Sequence, residues 1–275
     1  MKLKKMFLVL MVCAFFAPTN VFAEKGKWSF TPYAGANVAS SRDMVEGLSG
    51  TAAGAVTFSD GSQIDGTITA KINDLSLSDT HDTPILSGFD VGYFYTDDLE
   101  VFGGFQYVTA SGDSARALDI TAAGNFTSSG GTVTALALNE TANARFDDYN
   151  SWALKVGLTK YFPMSSFTPY VGGYAGFKHV DEMKFTLKFN TVNVTTGKIK
   201  FNNSTNTGFF GFHTGVNKDL NIGGVPVLLG VRARLDYTPE LSDDDGDLDL
   251  VGAGKVNDAG GGVDFGLTGQ ISIRF

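Results

Sequence analysis

Val263-Asp264-Phe265-Gly266-Leu267-Thr268-Gly269-Gln270-Ile271-Ser272-Ile273-Arg274-Phe275 decides the fold. One alternate set reads Val263, Phe265, Leu267, Gly269, Ile271, Ile273, Phe275, and the other reads Asp264, Gly266, Thr268, Gln270, Ser272, Arg274. Side chains of a strand point to opposite faces with period two, so this segment is a strand with one oily and one polar face. Its length suits a tilted strand crossing a membrane. The same alternation marks Phe89, Val91, Tyr93 and Tyr95, then Trp152, Leu154, Val156 and Leu158, then Val227, Leu229, Val231, Ala233, Leu235 and Tyr237. Weaker examples cover 28–39, 99–109, 167–178 and 208–220, which makes eight candidate strands.

The polar set is narrow and charged for a soluble exterior. Glycine recurs in it, and arginines stand near aspartates. The oily set places Trp28, Trp152, Tyr93, Tyr95 and Tyr237 near strand ends. Aromatic residues flanking an apolar band are what a lipid-facing barrel wall needs. In hydrocarbon every backbone polar group needs a partner, and a closed barrel provides one without edges.

Composition agrees. The chain has 275 residues, 43% hydrophobic and 18% charged, which excludes a disordered polypeptide. A sequence pI near 4.8 and the lack of basic runs after the first few residues exclude a nucleic-acid binder. The 34 glycines exceed the ordinary share of roughly 7%. A mean hydropathy of +0.02 averages an oily band, a charged interior and polar loops.

The start is a targeting segment. Lys2, Lys4 and Lys5 precede an apolar run from Phe7 to Ala17, then Pro18 and the small-residue ending Val21-Phe22-Ala23. This is the pattern of a secretory signal peptide over residues 1–23, with the barrel domain over 24–275. Cleavage removes three lysines, moving the net charge from −8 to −11, and also removes Cys13, the single cysteine.

Strand spacing divides the connections into two sorts. Those at 96–98, 163–166 and 221–226 are short, and those at 41–85, 110–148, 179–207 and 238–262 are long. Strict alternation of short and long is the asymmetry of periplasmic turns against extracellular loops. Within the long connections Ile64, Ile68 and Ile72 alternate with polar residues, as do Met183, Phe185, Leu187 and Phe189. They read as hairpins extending the sheet above the membrane. As membrane strands they would instead give 10–14 strands and a wider lumen. Ser29-Phe30-Thr31-Pro32-Tyr33 recurs as Ser166-Phe167-Thr168-Pro169-Tyr170, which suggests hairpin duplication.

A signal peptide, alternating strands and a final strand ending in phenylalanine together resemble the small bacterial outer-membrane β-barrels, the OmpA-transmembrane-domain and OmpX-like group. The resemblance implies an all-β, antiparallel up-and-down barrel of eight strands in the outer membrane of a Gram-negative-type bacterium. It also implies outer-membrane lipid and the barrel assembly machinery as partners, with Phe275 as the residue that machinery reads. The long loops are then where a host or surface ligand would bind.

The inward face is expected to hold Asp90, Glu100, Gln106, Lys155, His213, Arg232, Arg234, Asp236, Asp264, Gln270 and Arg274. Asp90, Lys155, Arg232, Arg234, Asp264 and Arg274 form its expected ionic network, because buried charges must be paired. No catalytic or cofactor motif appears. The mature histidines are His81, His179 and His213, none with a serine and an acid at triad-like spacing. The role expected is therefore non-enzymatic, structural or surface-interacting. A porin-like channel for small solutes is the alternative, and a lipid-modifying enzyme a remote one. The acidic run Asp243-Asp244-Asp245-Gly246-Asp247-Leu248-Asp249 could hold a divalent cation but fits no EF-hand register, and no metal site is assigned to it.

Overall fold

Alternation becomes pairing in the computed structural model, which describes residues 25–45, 47–57, 59–222, 225–239, 249–250, 254–255 and 261–275. Strands are numbered in chain order. Eight of them close a ring: β1 (Trp28–Ser40), β6 (Ile85–Phe94), β7 (Leu99–Ala110), β10 (Tyr149–Tyr161), β11 (Thr168–Val180), β15 (Thr205–Ile222), β16 (Val225–Thr238) and β19 (Gly262–Arg274). The order around the ring is β1–β19–β16–β15–β11–β10–β7–β6, every pair antiparallel. All eight strands expected from period two are present, and the alternative of 10–14 membrane strands does not hold.

The ring closes where β1 meets both β6 and β19, in the registers Phe30↔Val91 and Phe30↔Ile273. At the periplasmic end Trp28 N–H donates to the Phe275 carbonyl (2.9 Å) and Phe275 N–H to the Trp28 carbonyl (3.0 Å). The outer wall is apolar: Phe89, Leu154, Val156, Phe212, Leu267 and Ile271 all face outward and exposed. Aromatic pairs lie near both rims, Trp28–Tyr93 at the periplasmic end and Phe210–Tyr237 at the other, with ring centroids 5.2 and 4.9 Å apart.

The long connections hold a second sheet. Its members are β3 (Leu48–Thr57), β4 (Gln63–Ile72), β8 (Ser114–Thr127), β9 (Val133–Phe146), β12 (Met183–Phe189), β13 (Val194–Thr195) and β14 (Ile199–Asn202). The order is β13–β12–β9–β8–β4–β3, with β14 also bonded to β12. The remaining short strands are β2 (Asp43–Val45) paired with β5 (Leu75–Ser76), and β17 (Asp249–Leu250) paired with β18 (Gly254–Lys255). One helical turn, Leu77–Thr80, follows β5. The expected hairpins at 64–72 and 183–201 lie in this outer sheet. The two 14-residue strands β8 and β9 are additional to them. A register shift between Arg116 and Leu118 moves the inner-facing set of β8 from odd to even positions, so a strict period-two count loses it.

Glycine makes room inside the ring. A Cβ on Gly88 would lie 2.5 Å from the Tyr33 hydroxyl, and one on Gly215 would meet the ring of Tyr170. Large rings on one strand thus lie over bare backbone on its neighbour, which lets an eight-stranded lumen hold tyrosines. Gly269, on the oily side of β19, would meet nothing within 4 Å.

Gly88→Val should therefore destabilise the barrel by about 1–3 kcal/mol through overpacking, while Gly269→Val should leave stability unchanged. Urea midpoints read from heat-modifiable gel migration check both.

Candidate functional site

The inward set forms a filled interior. Every one of the eleven inward positions expected from the sequence is buried, from Asp90 on β6 to Arg274 on β19. At mid-barrel Asp90 is the common partner of two cations: Lys155 Nζ lies 3.0 Å from its Oδ1, and Arg232 Nη1 2.7 Å from its Oδ2. Lys155 Nζ also sits 4.8 Å from the ring centre of Tyr33 and 4.9 Å from that of Tyr174, so aromatic faces replace part of its lost water. One level outward, Arg234 donates to Asn37 (2.8 Å) and to Gln106 and pairs with Asp236 at 2.9 Å. The Tyr174 hydroxyl also donates to Asp236.

At the outer rim Asp264 accepts two bonds from Arg42, Nε at 3.2 Å and Nη2 at 2.6 Å, while Lys178 Nζ lies 3.8 Å away. At the periplasmic end Glu100 accepts from Ser29 and from Tyr161 (2.6 Å). The Arg274 guanidinium lies 4.8 Å from the Phe94 ring and 5.6 Å from that of Tyr161. His213 sits among Phe102, Tyr170 and Tyr174, with Nε2 3.0 Å from the Thr159 hydroxyl.

Of the six expected network residues, Asp90, Lys155 and Arg232 meet directly. Arg234, Asp264 and Arg274 each engage other groups at different heights of the lumen. Two charged partners were not among the expected residues. Lys178 belongs to the inward alternate set of β11 and lies within the expected strand 167–178, so applying that strand's parity to its last residue would have found it. Arg42 lies beyond the end of β1, and no periodicity signals a loop arginine that folds back into the barrel. Phe275 completes the seam with Trp28 through its backbone, and its ring is exposed on the outer wall.

Above this polar interior lies an apolar cap. Leu86, Val108, Ala110, Tyr149 and Val180, at the outer ends of barrel strands, share one buried cluster with Met44, Val45, Leu75, Leu77, Phe146, Met183, Phe185 and Phe201 from the long connections. Phe146 packs on Phe185 at 5.6 Å and edge-on against Phe201 at 5.8 Å. The same faces of β8, β9 and β12 that close this cluster carry the outer sheet away from the membrane. Midway along β9, Glu140 accepts from the amides of Thr191 (2.8 Å) and Val192 (3.2 Å). These bonds hold its carboxyl below the usual range. Among the described residues no three His, Cys, Asp or Glu side chains come together as a metal site. Residues 243–248 of the acidic run lie outside the described residues.

A closed antiparallel ring with an oily outer wall, a polar packed lumen and long connections at one end is an outer-membrane β-barrel, placed in the lipid of a Gram-negative-type outer membrane. No family model matches the chain, and no curated protein matches it. Solved structures similar to it include three small barrels. Neisserial surface protein A is 11% identical over 91% of this chain and 100% of that one, with TM-score 0.36. Ail, the attachment invasion locus protein of Yersinia pestis, crystallised with a heparin analogue, is 12% identical over 91% and 99%, with TM-score 0.35. The N-terminal β-barrel domain of Pseudomonas aeruginosa OprF is 11% identical over 91% and 98%, with TM-score 0.31.

Asp90→Ala leaves two buried cations without their counter-charge. It should cost about 3–5 kcal/mol, and Asp90→Ala with Lys155→Met should cost less than the two single changes summed, as denaturation of the four proteins in detergent would show. Glu140 has a lowered pKa in the folded sheet, so its contribution is present above the unfolded value and lost as pH falls through the folded one. Protection factors of the Thr191 and Val192 amides, corrected for the intrinsic pH dependence of exchange, should fall on that acid limb and stay constant above it.

Proposed function

We propose that this chain is a non-conducting, non-enzymatic outer-membrane barrel of the OmpA-transmembrane-domain and OmpX-like type. Its role is structural, or surface interaction through the sheet it holds outside the membrane. One observation carries this reading: the outer mouth is occupied by the cluster of Phe146, Phe185, Phe201, Met44 and Met183 packed on Leu86 and Val108. An apolar plug over a lumen already filled by Tyr33, Lys155, Arg232 and Tyr174 favours a wall that carries a surface over a path that carries solutes.

The ionic interior is read as a device that fixes strand register. A slip of one residue would turn Asp90, Lys155, Arg232, Arg234, Asp264 and Arg274 toward lipid. Residues 1–23 would direct the chain to the envelope and then be removed; that segment lies outside the described residues. The exposed ring of Phe275 at the seam is suited to recognition by the assembly machinery, and the outer sheet to a host or surface ligand.

Planar-bilayer recordings of the purified protein should stay at background, and proteoliposomes should not swell in small sugars. Sustained unit conductance would instead favour the porin-like alternative.

A further inference from the structure

The outer sheet has two margins, and they are built differently. At one margin β12 is met by the short pieces β13 and β14, with a register shift between Met183 and Lys184. Lysines stand there at 184, 188, 198 and 200. Interrupted pairing and lysine are how edge strands are kept from accepting a further strand.

The other margin is β3, Leu48-Ser49-Gly50-Thr51-Ala52-Ala53-Gly54-Ala55-Val56-Thr57. It carries no charge and no proline, and pairs with β4 without a shift from Leu48↔Ile72 to Thr57↔Gln63. Among the described residues β3 bonds to β4 alone, and residues 49–55 are exposed. Ten residues of this kind present a continuous template of N–H and C=O groups on the open side.

Strand polarity says what can fill it. β7 runs from the periplasmic turn to the outer rim, and β8 follows it after three residues into the outer sheet. β4 is antiparallel to β8 and β3 antiparallel to β4, so β3 runs away from the membrane. An antiparallel partner must run toward it. A copy in the same membrane has its β3 running outward as well, whereas a copy rooted in a facing membrane presents the required direction.

The β3 sequence also suits its own copy. A two-fold axis through Ala52 sets Leu48 opposite Val56, Ser49 opposite Ala55, Gly50 opposite Gly54 and Thr51 opposite Ala53. No like charges meet. The even positions, which pair with Ile64, Ile68 and Ile72 of β4, stay on one side of the joined sheet. An edge without charge or bulk gives a foreign strand little to be selected by, while a second copy matches it in length and register.

We propose that β3 is a self-association edge, joining two copies from facing cells through antiparallel β3–β3 pairing into one continuous sheet. This rests on the reading of the outer sheet as the interaction surface, and it names the partner. Many weak pairs between two surfaces would act together.

The test uses full-length Ala52→Cys protein, expressed in two cell populations with different epitope tags and with surface polysaccharide truncated. Mixing the populations under mild oxidation should give a disulfide dimer carrying both tags, together with clumping. Thr51→Lys with Ala53→Lys should abolish the clumping while heat-modifiable migration stays normal. If a membrane-impermeant maleimide labels the introduced thiol on intact cells, yet neither two-tag dimer nor clumping appears, self-pairing is overturned and the surface-sheet reading stands. Dimers that form in dilute unmixed cells, without cell contact, would overturn the facing-cell geometry. Failure of the maleimide to reach the thiol would sink both readings.

Discussion

Backbone hydrogen bonding in hydrocarbon is the constraint from which the rest follows. An unpaired N–H or C=O in lipid costs several kcal/mol, so a chain that crosses by strands must close its sheet. Closure at eight strands leaves an interior that side chains can fill. The oily exterior, the alternation in every strand, and the crowding that demands glycine opposite Tyr33 and Tyr170 are consequences of that one geometry.

The lumen shows how a narrow barrel handles charge. Asp90 is shared by Lys155 and Arg232, and the Tyr33 ring faces both cations. Arg274 relies on Phe94 and Tyr161 rings, with Glu100 engaged nearby by Ser29 and Tyr161. Each height of the barrel thus has its own arrangement, and Tyr174 joins two of them by facing Lys155 and donating to Asp236. Arg42 links this interior to the outer layer, since it leaves the end of β1 and returns to Asp264 of β19 and Thr238 of β16.

The barrel was legible in the sequence because period two is a local signal strengthened by burial. In Val263–Phe275 each neighbour alternates between lipid and lumen, so the pattern is nearly uninterrupted. The inward residues followed from the same parity. What the pattern did not carry was the outer sheet's full extent. β8 and β9 use alanine and glycine where the barrel uses leucine and phenylalanine, and the bulge at Arg116–Leu118 reverses parity within one strand. Residues such as Arg42, whose position depends on a chain reversal, leave no periodic trace. The cap is assembled from Met44, Leu77, Phe146 and Phe201, which come from three separate connections, so only tertiary structure brings it together.

The seam between β1 and β19 has a consequence for the order of events in folding. The ring's first strand is paired along most of its length with its last, and Trp28 exchanges two backbone bonds with Phe275. The ring cannot be sealed until β19 has been made. Contacts of such wide separation are slow to form, because the loop-closure entropy comes before any reward. Until β19 pairs with β1, the chain is an open polypeptide whose oily strand faces lack their closed wall. Its competence for delivery depends as much on remaining unfolded for long enough as on the stability of the barrel it finally becomes.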